Sequence, residues 1–226
     1  MMPKITSGIV RFKSDVYPQK EELFKKLAKR QDPEALFITC SDSRIDPSLL
    51  VQTEPGELFI CRNAGNIVPP HSNYTGGITA TIEYAVAVLK VKHIIICGHS
   101  DCGALTAVLN PEKVEDLPHV SQWLSYAKAA HFIVEEKAPN LSPEEKLTML
   151  IEENVLLQLQ HLKTHPYVAA RYATNKVQLH AWTYDIGEGN IKAYDERSRS
   201  FLPVEERYSD YTKDCLGKND SDCGCK

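Results

Sequence analysis

The chain has 226 residues, 26 basic against 30 acidic side chains, a formal net charge of -4 and 42% hydrophobic residues. That length suits one sizeable core rather than two full domains, and the lack of a basic block argues against a nucleic-acid partner. No apolar run approaches the roughly 20 residues of a membrane span, and Met1 to Val10 lacks the long apolar segment of a secretory signal, so the protein reads as cytoplasmic, with no membrane partner. Seven scattered cysteines are an odd count, better suited to metal ligands and buried thiols in a reducing compartment than to a disulfide framework.

Glu22, Leu23, Phe24 and Leu27 among charged neighbours predict an amphipathic helix over Pro18 to Arg30, with Pro18 in its first turn. Ala35 to Thr39 is a continuous apolar run of strand length, the pattern of a strand covered on both faces, and it delivers the chain into Cys40. A short helix follows from Ser48 to Gln52. The Glu54-Pro55-Gly56 turn then leads into a second strand, Glu57 to Arg62, which Asn63-Ala64-Gly65-Asn66 stops. Ile78, Ile82, Ala85, Val86 and Leu89 fall at helical spacing. His93 to Cys97 repeats the buried-strand pattern, Gly98 releases the chain, and a short helix runs from Gly103 to Leu109.

Two longer helices come next, one near His119 to Lys137 and one opened by Ser142 as N-cap and Pro143 as first helical residue. Leu147, Leu150, Ile151, Val155, Leu159 and Leu162 form the stripe of the second. His165-Pro166 breaks it, a short helix reaches Ala173, and Val177 to Tyr184 alternates as a half-exposed strand. Gly187 to Asn190 turns this strand back into Ile191 to Tyr194, a hairpin at the sheet edge. The chain carries no internal repeat. Strands alternating with helices predict an α/β fold with a mainly parallel central sheet, flanking helices and an antiparallel C-terminal edge strand. Residues 1–34 read as an N-terminal helical arm, 35–208 as the α/β catalytic domain, and 209–226 as a polar tail carrying Cys215, Cys223 and Cys225. Those three cysteines read either as accessible thiols on a flexible segment or as a second metal or redox site.

Two stretches stand at strand carboxyl ends, where ligands of such sheets bind: Cys40-Ser41-Asp42-Ser43-Arg44 and His99-Ser100-Asp101-Cys102-Gly103. Cys40, His99 and Cys102 offer two thiolates and an imidazole, a set that suits zinc with one position open. Cys102 sits where a helix starts, which favours its thiolate, and Gly103 spares the metal a crowding side chain. Asp42, if ionised, can only accept hydrogen bonds, so it would hold the proton of a zinc-bound water or hydroxide and orient that nucleophile. Arg44, two residues on, projects to the same side of an extended segment and would keep the carboxylate off the metal. The same pair also reads as a clamp that only shapes the turn. Asp101 reads as a cap of the helix that follows.

Cys-Ser-Asp-Ser-Arg followed far downstream by Gly-His-Ser-x-Cys-Gly resembles the β-class carbonic anhydrases. The resemblance extends over roughly residues 20 to 200, including Gly56-Glu57, Arg62-Asn63 and Ile82-Glu83-Tyr84-Ala85. It implies zinc-dependent hydration of carbon dioxide to bicarbonate, with one zinc per chain on Cys40, His99 and Cys102 and with Asp42 and Arg44 as the catalytic pair. Gln31, Phe59 and Tyr84 match substrate-pocket positions, some supplied in the family by a neighbouring subunit, and Gly103 is counted with that pocket. The resemblance also implies a homodimer embraced by N-terminal helices, extensible to a tetramer or higher. Phe37 stands where members inhibited by bicarbonate carry tryptophan, so that inhibitory site is expected to be absent. Without the resemblance, Gln31 is a polar residue near a helix end, and Phe59 and Tyr84 are core aromatics. Two other readings use the same zinc site: hydrolysis of a sulfur analogue such as carbon disulfide, and a scaffold whose zinc is structural with Asp42 as permanent fourth ligand. His71, in a loop, is a candidate proton shuttle or an exposed histidine without a role.

Overall fold

A computed structural model describes residues 1–73 and 75–212. Six strands, β1 (Ala35–Cys40), β2 (Leu58–Asn63), β3 (His93–His99), β4 (Gln178–Tyr184), β5 (Ile191–Asp195) and β6 (Ser200–Pro203), form one sheet in the spatial order β2-β1-β3-β4-β5-β6. β1 pairs in parallel with both β2 and β3, and β3 in parallel with β4, while β5 and β6 are antiparallel additions. The chain departs from β1 toward β2 and returns on the other side as β3, so strand order reverses between β1 and β3. A crevice opens at the carboxyl ends of two strands that diverge in this way.

Helices α1 (Met2–Arg11), α2 (Tyr17–Gln19) and α3 (Glu21–Leu27) precede the sheet, and α4 (Pro47–Leu50) follows β1. Helix α5 (Gly77–Glu83), prolonged by a π-helical turn over Tyr84–Val88, joins β2 to β3. Between β3 and β4 lie α6 (Gly103–Leu109), α7 (Pro118–Leu124), α8 (Lys128–Lys137), α9 (Pro143–Lys163) and α10 (Pro166–Ala173). Helices α11 (Val204–Arg207) and α12 (Ser209–Thr212) follow β6.

Every residue of β1 is buried, which is why its sequence runs apolar without alternation. Leu36, Ile38, Ile94 and Ile96 pack on one face with Ile82, Val86, Val155 and Leu162 from the covering helices. Ala35, Phe37, Ile95 and Cys97 form a smaller cluster on the other, joined by Leu58, Trp182 and Tyr184. Each large aliphatic side chain taken fully out of water contributes about 1.5–3 kcal/mol. Helix α9 starts where its signals predict: Ser142 Oγ accepts from the Glu145 N–H at 3.3 Å, and the Ser142 N–H donates in turn to Glu145 Oε2 at 2.9 Å. Such a reciprocal cap adds about 1 kcal/mol.

The helix expected over Pro18 to Arg30 is broken at Lys20, whose backbone leaves the helical region, and ends at Leu27. The helix expected near His119 to Lys137 is three pieces, α7, a 3-10 turn over Ser125–Ala127, and α8. β6 corrects the edge assignment, because it pairs with β5 and leaves β5 as an inner strand. Four residues ending in a proline carry too little alternation to announce a strand. Of the polar segment from Ser209, α12 covers the first four residues, and Cys215, Cys223 and Cys225 lie outside the described residues.

Candidate metal centre

β1 ends at Cys40 and β3 at His99, and the next turn presents Cys102 ahead of α6. Cys40, His99 and Cys102 are all buried, and their ligand atoms lie within 4.8 Å of one another. Thiolates about 2.3 Å from a tetrahedral ion stand roughly 3.8 Å apart, and the two sulfurs here are 4.0 Å apart. His99 Nδ1 is 2.8 Å from the Ser100 carbonyl. A carbonyl only accepts, so Nδ1 carries the proton and Nε2 keeps its lone pair. That Nε2 is buried without a hydrogen-bond partner, a costly state unless a ligand meets it. The donor set and this orphaned nitrogen fit a metal ion.

Backbone and arginine contacts hold the ligand loops. The Gly65 N–H points at Cys40 Sγ from 3.4 Å, and Gly65 takes a left-handed φ of 77° that disfavours a side chain. From α9, Asn154 donates to the Gly65 carbonyl at 3.1 Å. Arg62, at the end of β2, donates from Nε to the Cys40 carbonyl at 3.0 Å and from Nη2 to the Asp42 carbonyl at 2.6 Å. Behind β3, a Cβ on Gly98 would come within 2.8 Å of Val155 Cγ2 and 3.0 Å of Ile151 Cγ2. Only glycine lets α9 approach the strand this closely beside His99.

The two ligand thiols share a proton across their contact, which drives Cys40 down and Cys102 up. N–H groups of Leu105 and Ala104, in the first turn of α6, favour the Cys102 thiolate. Burial alone pushes Cys61 up to about 11 and Cys97 up to about 12. Neither has the thiol contact or the helix N–H groups that favour a thiolate in the ligand pair.

Asp42 Oδ1 accepts from Arg44 Nε and from the Arg44 backbone N–H, both at 3.0 Å, and Oδ2 accepts from Nη2 at 2.8 Å. Hydrogen bonds from the Arg44 side chain, then from its backbone, hold the Asp42 carboxyl well below the usual carboxylate range. The carboxylate faces the cluster, with Oδ2 3.9 Å from His99 Nε2. Asp101 does not cap α6, whose first turn has no side-chain cap. It turns toward Arg44, accepting from Nη1 at Oδ2 and from Nη2 at its carbonyl, each at 3.0 Å.

The other predicted positions fall elsewhere in the single chain. Gln31 is exposed ahead of β1, at the opposite end of that strand from Cys40, a span of about 20 Å. Phe59 lies near the start of β2, its ring 5.9 Å from that of Tyr84, and Tyr84, Ile60 and Val88 are each exposed. Gly103 opens α6, and a Cβ there would meet no protein atom within 4 Å, so packing inside the chain does not demand glycine. His71 packs its ring 5.8 Å from that of His165. Phe37 is fully buried, edge-on to Trp182 at 6.1 Å. Sequence reasoning passed over the work of Arg62, Gly65 and Asp101. The first had a signal, a charged residue directly ending a predicted strand beside Cys40.

Fold and cluster together define an α/β protein with a buried Cys2His metal site at the switch point of a parallel sheet. The carbonic anhydrase family profile matches residues 35–191. A carbonic anhydrase of Pseudomonas aeruginosa is 48% identical over 205 residues, covering 91% of this chain and 93% of that protein. The solved β-carbonic anhydrase CcaA superposes with a TM-score of 0.87 at 39% identity, covering 89% of this chain and 91% of the other. A structure described as one of two tetrameric β-carbonic anhydrases of Sordaria macrospora superposes at 0.77, with 33% identity and coverage of 85% and 95%. The chain belongs to the β-class carbonic anhydrases and is a lyase that hydrates carbon dioxide.

Proposed function

We propose that this carbonic anhydrase works with one zinc ion per chain, held by Cys40, His99 Nε2 and Cys102, and that Asp42 oriented by Arg44 is its catalytic carboxylate. The observation that carries the reading is the buried, unpartnered His99 Nε2 beside two thiols, with an ionised carboxylate 3.9 Å away. Two thiolates and an imidazole suit zinc by softness and leave a fourth position open. Bound there, zinc supplies the Lewis acidity that makes water a nucleophile toward carbon dioxide. Asp42 Oδ2 would accept a hydrogen bond from the attacking oxygen and so turn that oxygen's lone pair to the carbon. Arg44 engages both oxygens of the carboxylate, which opposes the reading of Asp42 as a permanent fourth ligand. Two thiolates would offset the charge of a zinc held there, so water would be acidified less than in a three-histidine site and activity is expected to rise toward alkaline pH.

Residues 35–208 form the catalytic unit in this reading, and residues 1–34 the arm that contacts a second copy. Ile5, Ile9, Val10 and Phe12 of the arm are exposed, and α1 to α3 bury no residue against their own chain. A homodimer would cover that apolar face and bring Gln31, Phe59 and Tyr84 of one copy toward the pocket of the other. Thiol ligation needs reduced cysteines, which supports a cytoplasmic site of action.

Stopped-flow carbon dioxide hydration across pH, on protein of measured zinc content, tests the reading. The expected result is one zinc per chain and a rate that climbs toward alkaline pH, reduced by at least about 100-fold in Asp42→Asn. Zinc-replete protein that stays inactive at high pH would overturn it.

A further inference from the structure

Asp101 is the residue least explained by the site described so far. It has a side chain yet takes a left-handed φ of 55°, a region most residues avoid, though aspartate tolerates it better than most. Its carboxylate is 79% exposed, where a lone ion pair contributes little to stability. It nevertheless meets Arg44 twice, through Oδ2 to Nη1 and through its carbonyl to Nη2.

Arg44 spends four of its five N–H groups across these contacts: Nε on Asp42 Oδ1, Nη2 on Asp42 Oδ2 and the Asp101 carbonyl, and Nη1 on Asp101 Oδ2. The guanidinium is a rigid plane. Asp42 grips one edge and Asp101 the other, so the position of Asp101 fixes the plane that aims the Asp42 carboxylate. The left-handed turn makes this possible, because it brings both the carbonyl and the side chain of residue 101 toward the same guanidinium.

We propose that Asp101 is a positioning residue for carbon dioxide hydration: its two-point hold on Arg44 locks the guanidinium that keeps Asp42 aimed at the attacking oxygen and off the metal. The proposal rests on the roles given above to Asp42 and Arg44. Asp101 also stands between ligands His99 and Cys102, so the hold ties the loop after β3 to the loop after β1 across 57 residues of sequence.

The test uses zinc-loaded full-length protein in three variants, Asp101→Asn, Asp101→Gly and Arg44→Ala. Asp101→Gly removes the carboxylate while suiting the left-handed backbone, so loss of function there cannot come from backbone strain. For Asp101→Gly the expectation is unchanged zinc content and thermal midpoint, kcat lowered between about five- and fiftyfold with KM little changed, and an Arg44 Nε–H nitrogen resonance that broadens or shifts. Asp101→Asn, which keeps an accepting oxygen without the charge, should recover part of both readouts. An Asp101→Gly protein with wild-type kcat and an unaltered Arg44 resonance, beside an inactive Arg44→Ala, overturns the role of Asp101 alone. Full activity in Arg44→Ala overturns that role and the Asp42–Arg44 reading together.

Discussion

The two histidines that bound β3 present opposite solutions to one problem. His99, at the carboxyl end, is buried with Nδ1 fixed on a carbonyl and Nε2 without a partner. His93, at the other end, is half-buried in a closed chain of bonds. Trp182 Nε1 donates to the Tyr208 hydroxyl at 3.0 Å, that oxygen lies 2.8 Å from His180 Nδ1, and His180 Nε2 lies 3.1 Å from His93 Nδ1. Tryptophan can only donate, so the tyrosine oxygen accepts there, and His180 engages Tyr208 through one ring nitrogen and His93 through the other. The first site keeps a lone pair aimed into the cluster, whereas the second is saturated. An unsatisfied buried nitrogen is costly, so it marks the end of the strand built for chemistry.

The sharpest break of this contrast is to remove a ligand. Cys40→Ser should lose hydration activity by at least about a thousandfold and lower zinc content, read by stopped flow and metal analysis. Chelation of the wild-type protein should do the same reversibly. Next in size, Arg44→Ala should cost at least about 100-fold in kcat, because the freed carboxylate can move onto the metal. Full activity in that variant would remove the pair from the mechanism.

Gly98→Ala tests the packing behind the functional histidine. Its methyl meets Val155 and Ile151, so a destabilisation of about 1–3 kcal/mol is expected in denaturant melts, together with weaker zinc retention. Ala tolerated without loss would show that α9 does not set the position of His99.

The saturated network should respond to acid in the opposite manner to a salt bridge that gains from protonation. Burial, then the neighbouring His93 and Arg207, lowers His180 to about 4 from an ordinary 6.5. The unfolded chain therefore binds the proton first. Its stabilising contribution is complete above about pH 6.5 and is lost as pH falls toward 4, by up to roughly 3 kcal/mol. In His180→Phe, unfolding curves between pH 7 and 4 should lose part of that slope. Tyr208→Phe is the smallest expected effect, about 1 kcal/mol, with carbon dioxide hydration unchanged. A large loss of activity there would join the two ends of β3 functionally.

The centre of the sheet was legible because β1 and β3 are buried on both faces. Ala35 to Thr39 and His93 to Cys97 read as strand-length apolar runs, and Ser142 with Glu145 carries its own start signal for α9. Elements that are short or set by distant partners were not. β6 is too brief for its alternation to register, Lys20 breaks a helix that periodicity alone extends, and Asp101 chooses an arginine 57 residues away over the helix beside it.

By itself, the sequence determined the α/β class, the three metal-ligand candidates and the Asp42–Arg44 pair, because those depend on residue type and on spacing along single strand ends. Only the tertiary structure decided that His99 presents Nε2 unpartnered, that Asp101 closes the far edge of Arg44, and that Gln31, Phe59 and Tyr84 stand apart from the metal cluster of their own chain. Spacing reports which face a residue takes within its own element. The meeting of side chains from separate loops depends on how the sheet and helices pack, and that information is distributed over the whole core.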